Sequence, residues 1–418
     1  MTSPVWHPFT QHGLHEPVPQ ITSAAGAWLT CADGNRLLDA ISSWWVITHG
    51  HCEPRIAAAI AAQASTLDQV IFAGYTHPQA EKLARSLVEM TPAGLDHVFF
   101  SDSGSTAVEV ALKMALGHWH NRHEPRYRIL VMEHSYHGDT IGAMSVGARG
   151  VYNNAYAPLL FDVETVPFPM KGKEQASLDA LDRLCRASDK PAAFIVEPLL
   201  LGAGGMLVYD ARTFAEMAAI CGRHGVLFIA DEVMTGWGRT GTLFACGQAE
   251  VRPDILCLAK GLTGGAVPLA ATLASAEIFA SHVSTDRAAM FFHSSSFTAN
   301  AVSCAAANAN IAIWREENVP ARIAALGHAL DLGLERLALH PRLANPRRIG
   351  AVAAIDVVGD GTGYLSDVAP RLRAYMLERG VLLRPLGTTI YMMPPYCTKP
   401  QEVAGLFAGI AEAVDALP

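Results

Sequence analysis

Between residues 51 and about 310 the chain alternates two hydrophobic patterns. Stretches with apolar positions at helical spacing, such as Gln79 to Glu89 and Gly104 to His118, are separated by short continuous apolar runs: HVFFS (97–101), RILVMEH (128–134), AAFIVEP (192–198), VLFIADEV (226–233) and ILCLAK (255–260). Continuous runs of that length read as strands buried on both faces. Their alternation with helices predicts an α/β fold, a mostly parallel sheet flanked by helices.

The two ends read differently. Residues 1 to about 20 lack periodicity and hold four prolines, and Ala27 to Ser42 read as two short strands around the turn Ala32-Asp33-Gly34-Asn35. Beyond about 310 the pattern predicts a long helix (Ala321 to Leu337), a strand (Val352 to Val358), a helix (Pro370 to Arg379), strands within 381–393 and a final helix. The expected organisation is an N-terminal arm and hairpin (1–50), a large domain (51–310) and a smaller α+β domain (311–418), with the first segment joining the last. A chain of 418 residues exceeds one typical core, which favours two lobes.

Composition narrows the function. The formal charge of -8 supplies no basic field for nucleic acid, so small molecules are the expected partners. Eight cysteines without a C-x-x-C spacing fit reduced thiols rather than a zinc ribbon or redox pair. The start, MTSPVWHPFTQHGLHEPVPQ, lacks a cationic region followed by an apolar core, and no apolar run nears the roughly 20 residues of a membrane span. A cytoplasmic enzyme is expected.

Three segments suggest chemistry. In SDSGSTAVEVALKMA a strand ends at Ser101 and Gly104-Ser105 opens a helix, whose free N–H groups make an anion cradle; an ordinary serine cap reads the same way. In VLFIADEV, Asp231 and Glu232 fall at the carboxyl end of a buried strand, where a carboxylate suits a protonated ring nitrogen, a metal or a helix cap. In ILCLAKGLTGG, Lys260 follows an apolar strand and precedes glycines, so desolvation drives it toward the neutral amine that attacks carbonyls; a point charge for phosphate is the alternative. Asp231 and Lys260 are 29 residues apart, room for one connection between two strands whose ends face one ligand. His134, His137 and Asp139 lack a second set of metal ligands, so no metal is expected; such loop histidines more often bond backbone groups.

The ordered set of the Gly-Ser helix start, HSYHGDT, DEVMTGWGRTG and LAKGLTGG resembles the class III aminotransferases of the fold-type I pyridoxal-phosphate enzymes, over almost the whole chain. Further marks, WHPFTQ, SSWW (42–45), RTGTLFAC and RPLGTTIYMMPPY, are similar to the subgroup that aminates 8-amino-7-oxononanoate in biotin biosynthesis with S-adenosylmethionine or lysine as donor. The paired Trp44-Trp45 favours S-adenosylmethionine. The resemblance implies pyridoxal 5'-phosphate bonded to Lys260, Asp231 at its ring nitrogen, Gly104 and Ser105 at its phosphate, and Tyr136 stacked on its ring.

It further implies Trp44, Arg239 and Arg384 in the substrate pocket, with Arg384 gripping a carboxylate. It also implies a homodimer with shared active sites. There the 293–300 loop completes the other copy's site, Ser294 and Ser295 lining its substrate and phosphate sides and Ser296 supplying a hydroxyl. Two departures stand out: three serines replace the usual glycine or proline before threonine, and Phe9 replaces a common tyrosine. The rival readings are another class III ω-aminotransferase, a silent cofactor-binding scaffold and a metal-dependent phosphate hydrolase.

Overall fold

The computed structural model describes residues 3–359 and 363–418. Strands β1 (Ile21–Ala25), β2 (Trp28–Cys31) and β3 (Arg36–Asp39) form an antiparallel meander after the proline-rich start. The expected hairpin is β2 and β3; β1, largely exposed, has no apolar alternation to reveal it.

Next come β4 (His97–Ser101), β5 (Ile129–Met132), β6 (Glu164–Val166) and β7 (Ala193–Val196), then a hairpin of β8 (Leu200–Leu201) and β9 (Leu207–Val208). Strands β10 (Leu227–Asp231), β11 (Ile255–Leu258) and β12 (Ala270–Ala274) complete a seven-stranded sheet in the order β4-β12-β11-β10-β7-β5-β6. Only β12 runs antiparallel to its neighbours. Every residue of β5, β7, β10 and β11 is buried, as their unbroken apolar runs require of strands covered on both faces. One face packs Leu130, Phe194, Phe228 and Leu256; the other packs Ile129, Ile195, Ile229 and Cys257 beneath the helix Gly104–Asn121.

Helix Ala301–Glu316 runs across position 310 and packs on helices Pro54–Ala64 and Pro78–Met90. Helix Val319–Leu337, strands β13 (Leu343–Ile349) and β14 (Val352–Val357), helix Val368–Glu378, strands β15 (Val381–Leu382) and β16 (Thr389–Met392) and helix Pro400–Asp415 follow. Strands β13, β14 and β16 make an antiparallel sheet, whereas β15 leaves it and pairs parallel to β3. The first and last parts of the chain are therefore hydrogen-bonded into one sheet.

Alternation of parallel strands and helices brings the carboxyl ends of β4, β5, β7, β10 and β11 to one edge, where side chains leaving the strands converge.

Candidate active site

At that edge lies a cavity of about 580 Å³, lined among others by Trp44, Gly104, Ser105, Tyr136, Asp231, Lys260 and Arg384. Residues spread over more than three hundred positions of sequence thus meet in one space. Strands β10 and β11 are direct neighbours, with Asp231 opposite Cys257, so the interval between Asp231 and Lys260 does span one connection.

One end of the cavity is the N-terminus of helix Gly104–Asn121. Ser103 caps it, accepting from the Thr106 N–H, while Thr106 Oγ1 accepts from the Ser103 N–H at 2.9 Å. The N–H groups of Gly104 and Ser105, with no carbonyl four residues back, face the cavity side. A Cβ on Gly104 would lie 2.5 Å from Val233 Cγ1, so glycine lets the helix start approach the end of β10. Ser105 Oγ accepts from the Asp139 N–H at 3.0 Å, tying the loop after β5 to the cradle.

The charged groups stand at the ends of β7, β10 and β11. Asp231 is 4% exposed; its Oδ1 accepts from the Val233 N–H at 3.0 Å and its Oδ2 contacts His137 Nδ1 at 2.7 Å. His137 therefore holds a carboxylate, not the backbone contact expected of it from the sequence. Its other nitrogen, Nε2, is buried without a partner among the described residues. Glu232, one position on, points to the other side of the strand and caps the turn at 245–248, accepting from the N–H groups of Ala245 (2.8 Å) and Cys246 (2.7 Å). Period-two alternation assigns one acid to the site and its neighbour to the core.

Lys260 sits just past β11 at φ 43°, with Nζ 5.0 Å from the centre of the Trp45 ring. Burial brings its ammonium down to about 8, opposed by the charges of Asp231 and Glu197. Burial likewise pushes Glu197 up to about 7, offset by His137 and by N–H donors from Tyr136 and Gly202, each at 3.0 Å. Glu197 was missed in the sequence, although AAFIVEP ends a buried strand on an acid just as VLFIAD does. The Tyr136 N–H is thus fixed by Glu197, and burial, then Asp139, raises the Tyr136 hydroxyl above its ordinary range.

At the mouth, Arg384 donates to the Phe9 carbonyl at 2.9 Å and lies 5.4 Å from the centre of the Trp44 ring. Phe9, Trp44, Tyr136 and Tyr152 form an aromatic wall, with Phe9 to Trp44 at 5.5 Å and Phe9 to Tyr152 at 6.1 Å. Tyr152 carried no sequence signal. Arg384 lines the cavity, held there through the Phe9 carbonyl.

Arg239 departs from expectation. It does not line the cavity; at 1% exposure it donates through Nη2 to the carbonyls of Trp45 (3.3 Å) and Ile47 (2.8 Å), beside the Tyr396 ring. Ser294, Ser295 and Ser296 also lie outside this chain's own cavity. Ser294 and Ser296 are exposed, and Ser295 Oγ donates to the Asp102 carboxylate. No group of three or more His, Cys, Asp or Glu suited to a metal occurs among the described residues, and no described helix is long and apolar enough to cross a membrane.

An anion cradle, a buried carboxylate and a lysine of lowered basicity in one cavity define an aminotransferase-type site, and the family profile for class-III aminotransferases matches residues 10–414. The chain belongs to that family. It is 47% identical to the adenosylmethionine-8-amino-7-oxononanoate aminotransferase of Synechococcus elongatus, over 98% of each chain. It is also 38% identical to the enzyme of that name from Helicobacter pylori, over 99% of this chain and 96% of that one. The crystal structure of the Methanocaldococcus jannaschii enzyme of the same name matches with a TM-score of 0.94 at 32% identity, covering 99% of this chain and 97% of that one. An amine transaminase from an uncultivated Pseudomonas species, in its PLP-bound form, matches at 0.92 and 32%, over 99% and 98%. The fold is that of the fold-type I aminotransferases.

Proposed function

We propose that this chain transfers the amino group of S-adenosylmethionine to the ketone of 8-amino-7-oxononanoate, giving 7,8-diaminononanoate for biotin synthesis in the cytoplasm, with pyridoxal 5'-phosphate as cofactor. The observation that carries the reading is the convergence of the Gly104-Ser105 helix start, Asp231 and Lys260 on one cavity, in a chain similar to relatives of that name. The donor set fits the cofactor. An N-terminal cradle suits a phosphate, a buried carboxylate suits a protonated pyridine nitrogen, and a desolvated lysine suits an aldehyde.

When bound, pyridoxal phosphate supplies a carbonyl for amines and an electron-withdrawing ring beside the reacting carbon. Asp231, steadied by His137, would keep its ring nitrogen protonated. Gly104 and Ser105 would hold its phosphate, and Tyr136 would lie beside its ring. Lys260 would hold the cofactor's aldehyde and would serve as base and acid at the reacting carbon; burial brings its ammonium down to about 8, toward the neutral amine that this role needs. Arg384 binds the acceptor's carboxylate by a two-pronged contact, with Trp44 beside it. Arg239 acts on the substrate side through the backbone of Trp45. In a homodimer, Ser294, Ser295 and Ser296 of one copy serve the other's site. The division into an arm (1–50), a large domain (51–310) and a small domain (311–418), linked by helix Ala301–Glu316, is part of the same proposal.

The test is the visible spectrum of the protein with pyridoxal phosphate, before and after S-adenosylmethionine or lysine is added separately without acceptor. Bleaching of the cofactor band by S-adenosylmethionine is the expected outcome, and Lys260→Ala should abolish both the band and turnover. Bleaching by lysine alone would change the donor, and bleaching by neither would overturn the substrate assignment.

A further inference from the structure

The segment after β3, Ser42 to Ile47, presents Trp44, Trp45 and Val46 to the cavity in a backbone that L-residues rarely adopt. Ser42 has φ 53°, Ser43 φ 58° with ψ −96°, and Trp45 φ 66°, and none of the three is glycine. Positive-φ conformations of this kind are disfavoured for L-residues and persist only where the surroundings over-determine them. Something must therefore hold this segment.

Its principal holder is Asp39, the last residue of β3, which has no exposed surface and does not line the cavity. Its Oδ1 accepts from the Ile41 N–H at 3.2 Å. Its Oδ2 accepts from the Ser43 N–H at 2.6 Å and the Ser43 hydroxyl at 3.3 Å, and contacts His51 Nε2 at 2.8 Å. From the far side Arg239 grips the Trp45 and Ile47 carbonyls, Ser42 Oγ donates to the Met393 carbonyl at 2.7 Å, and Trp45 Nε1 donates to the Tyr391 hydroxyl at 2.9 Å. The clamp ends on two contacts of the site: Trp45 against Lys260, and Trp44 against Arg384.

We propose that Asp39, seated on His51, is a positioning residue for substrate recognition: it fixes the strained Ser42–Ile47 segment and thereby the placement of Trp44 and Trp45, without touching cofactor or substrate. The inference rests on the cavity being the transfer site. It separates two sets of residues. Gly104, Ser105 and Asp231 lie on elements that Asp39 does not contact, and the clamp reaches the cofactor side only through Trp45 against Lys260, so the substrate wall depends on it far more than the phosphate and ring-nitrogen contacts do.

The test is Asp39→Asn in the full-length protein. Asparagine keeps one accepting oxygen and offers an amide where the other must accept, so one side of the clamp is lost. The expected result is a tenfold or greater rise in KM for the amine substrates, with pyridoxal-phosphate affinity within twofold of wild type. Amide hydrogen exchange, read by mass spectrometry, should show lost protection confined to peptides covering 40–48. The double variant Asp39→Asn with Ser43→Gly should recover part of the KM, because glycine accepts the left-handed backbone without a clamp. An unchanged KM in an active enzyme would overturn the proposal, as would lowered thermal stability with unchanged exchange at 40–48. An inactive wild type with these substrates would refute the functional reading instead, and the exchange result would still decide the role of Asp39. If Asp39→Asn does not fold, Ser43→Gly alone decides: it should retain wild-type KM and make His51→Gln, which weakens the seat of Asp39, less harmful than in wild-type background.

Discussion

Glu197→Gln offers a pH test of the buried charge cluster. The carboxyl of Glu197 is pushed from 4.5 to about 7, chiefly by burial, with the charge of Asp231 adding to it and His137 and two N–H donors opposing. For an acid raised in the folded state, the folded protein holds the proton more tightly than the unfolded chain. The associated stability is fully present below 4.5 and is lost as pH rises through about 7. At about 1.4 kcal/mol per pH unit, that gap corresponds to about 3 kcal/mol between pH 5 and 8. Glutamine does not titrate. It carries a pH-independent cost, because its amide faces one of the N–H groups of Tyr136 and Gly202, of about 1–3 kcal/mol.

The assay is urea unfolding of cofactor-free wild type and variant at fixed protein concentration from pH 5 to 8. Raw slopes mix several groups: His49, lowered by burial to about 4, gains stability with rising pH in the lower part of this range. Lys260, lowered to about 8, acts only above it. Subtracting the variant from wild type removes the His49 contribution; Lys260 does not cancel, because the Glu197 charge raises its basicity and its loss moves the Lys260 titration lower, in the same direction as the expected change. The difference should move by about 3 kcal/mol in favour of glutamine between pH 5 and 8. A difference that stays constant over that range refutes the assignment of a raised carboxyl to Glu197.

Gly138→Ala places a Cβ 1.9 Å from Ser105 Oγ on a residue with φ +128°, so the cradle must shift. Pyridoxal-phosphate affinity, followed by absorbance titration, should fall about 10- to 100-fold. Arg384→Ala should raise KM for the carboxylate-bearing acceptor by about 10- to 100-fold in steady-state assays, with a smaller effect on the donor. Equal effects on both substrates would remove Arg384 from its assigned role.

Much of the large sheet is legible because both its faces are covered, which turns each parallel strand into an unbroken apolar run. Strand β12 escapes that signal: AATLA is mostly alanine, small because helix Gly104–Asn121 lies close, with Thr272 Oγ1 donating to the Ala107 carbonyl at 2.9 Å. Strand β13 contains Pro346, which argues against a strand except at an edge, and an edge is where it lies. In the site, Asp231 and Lys260 are readable because each ends an apolar strand. Glu197 carries the same signal in a run whose acid drew no attention. Arg239 is only partly legible, since a motif reports that an arginine is needed and not that one of its nitrogens grips the Trp45 and Ile47 carbonyls. The strain of Ser42, Ser43 and Trp45 leaves no mark in composition; it becomes visible only as φ angles.

The parallel pairing of β15 with β3 has a consequence for how the enzyme comes into being. Residues 38–48 are knitted to residues 380–396 by that pair and by bonds from Met393 to Ala40 (2.8 Å) and from Tyr396 to Thr48 (2.8 Å). A ribosome adding about 20 residues per second needs about 17 seconds to travel between those points. Until then the segment that carries Trp44 and Trp45 lacks the strand and loop that hold it in the finished protein. A message truncated before β15 would encode a chain without the partner of β3 and without the core residues, among them Tyr391, Met393 and Phe407, that pack in one cluster with Trp45.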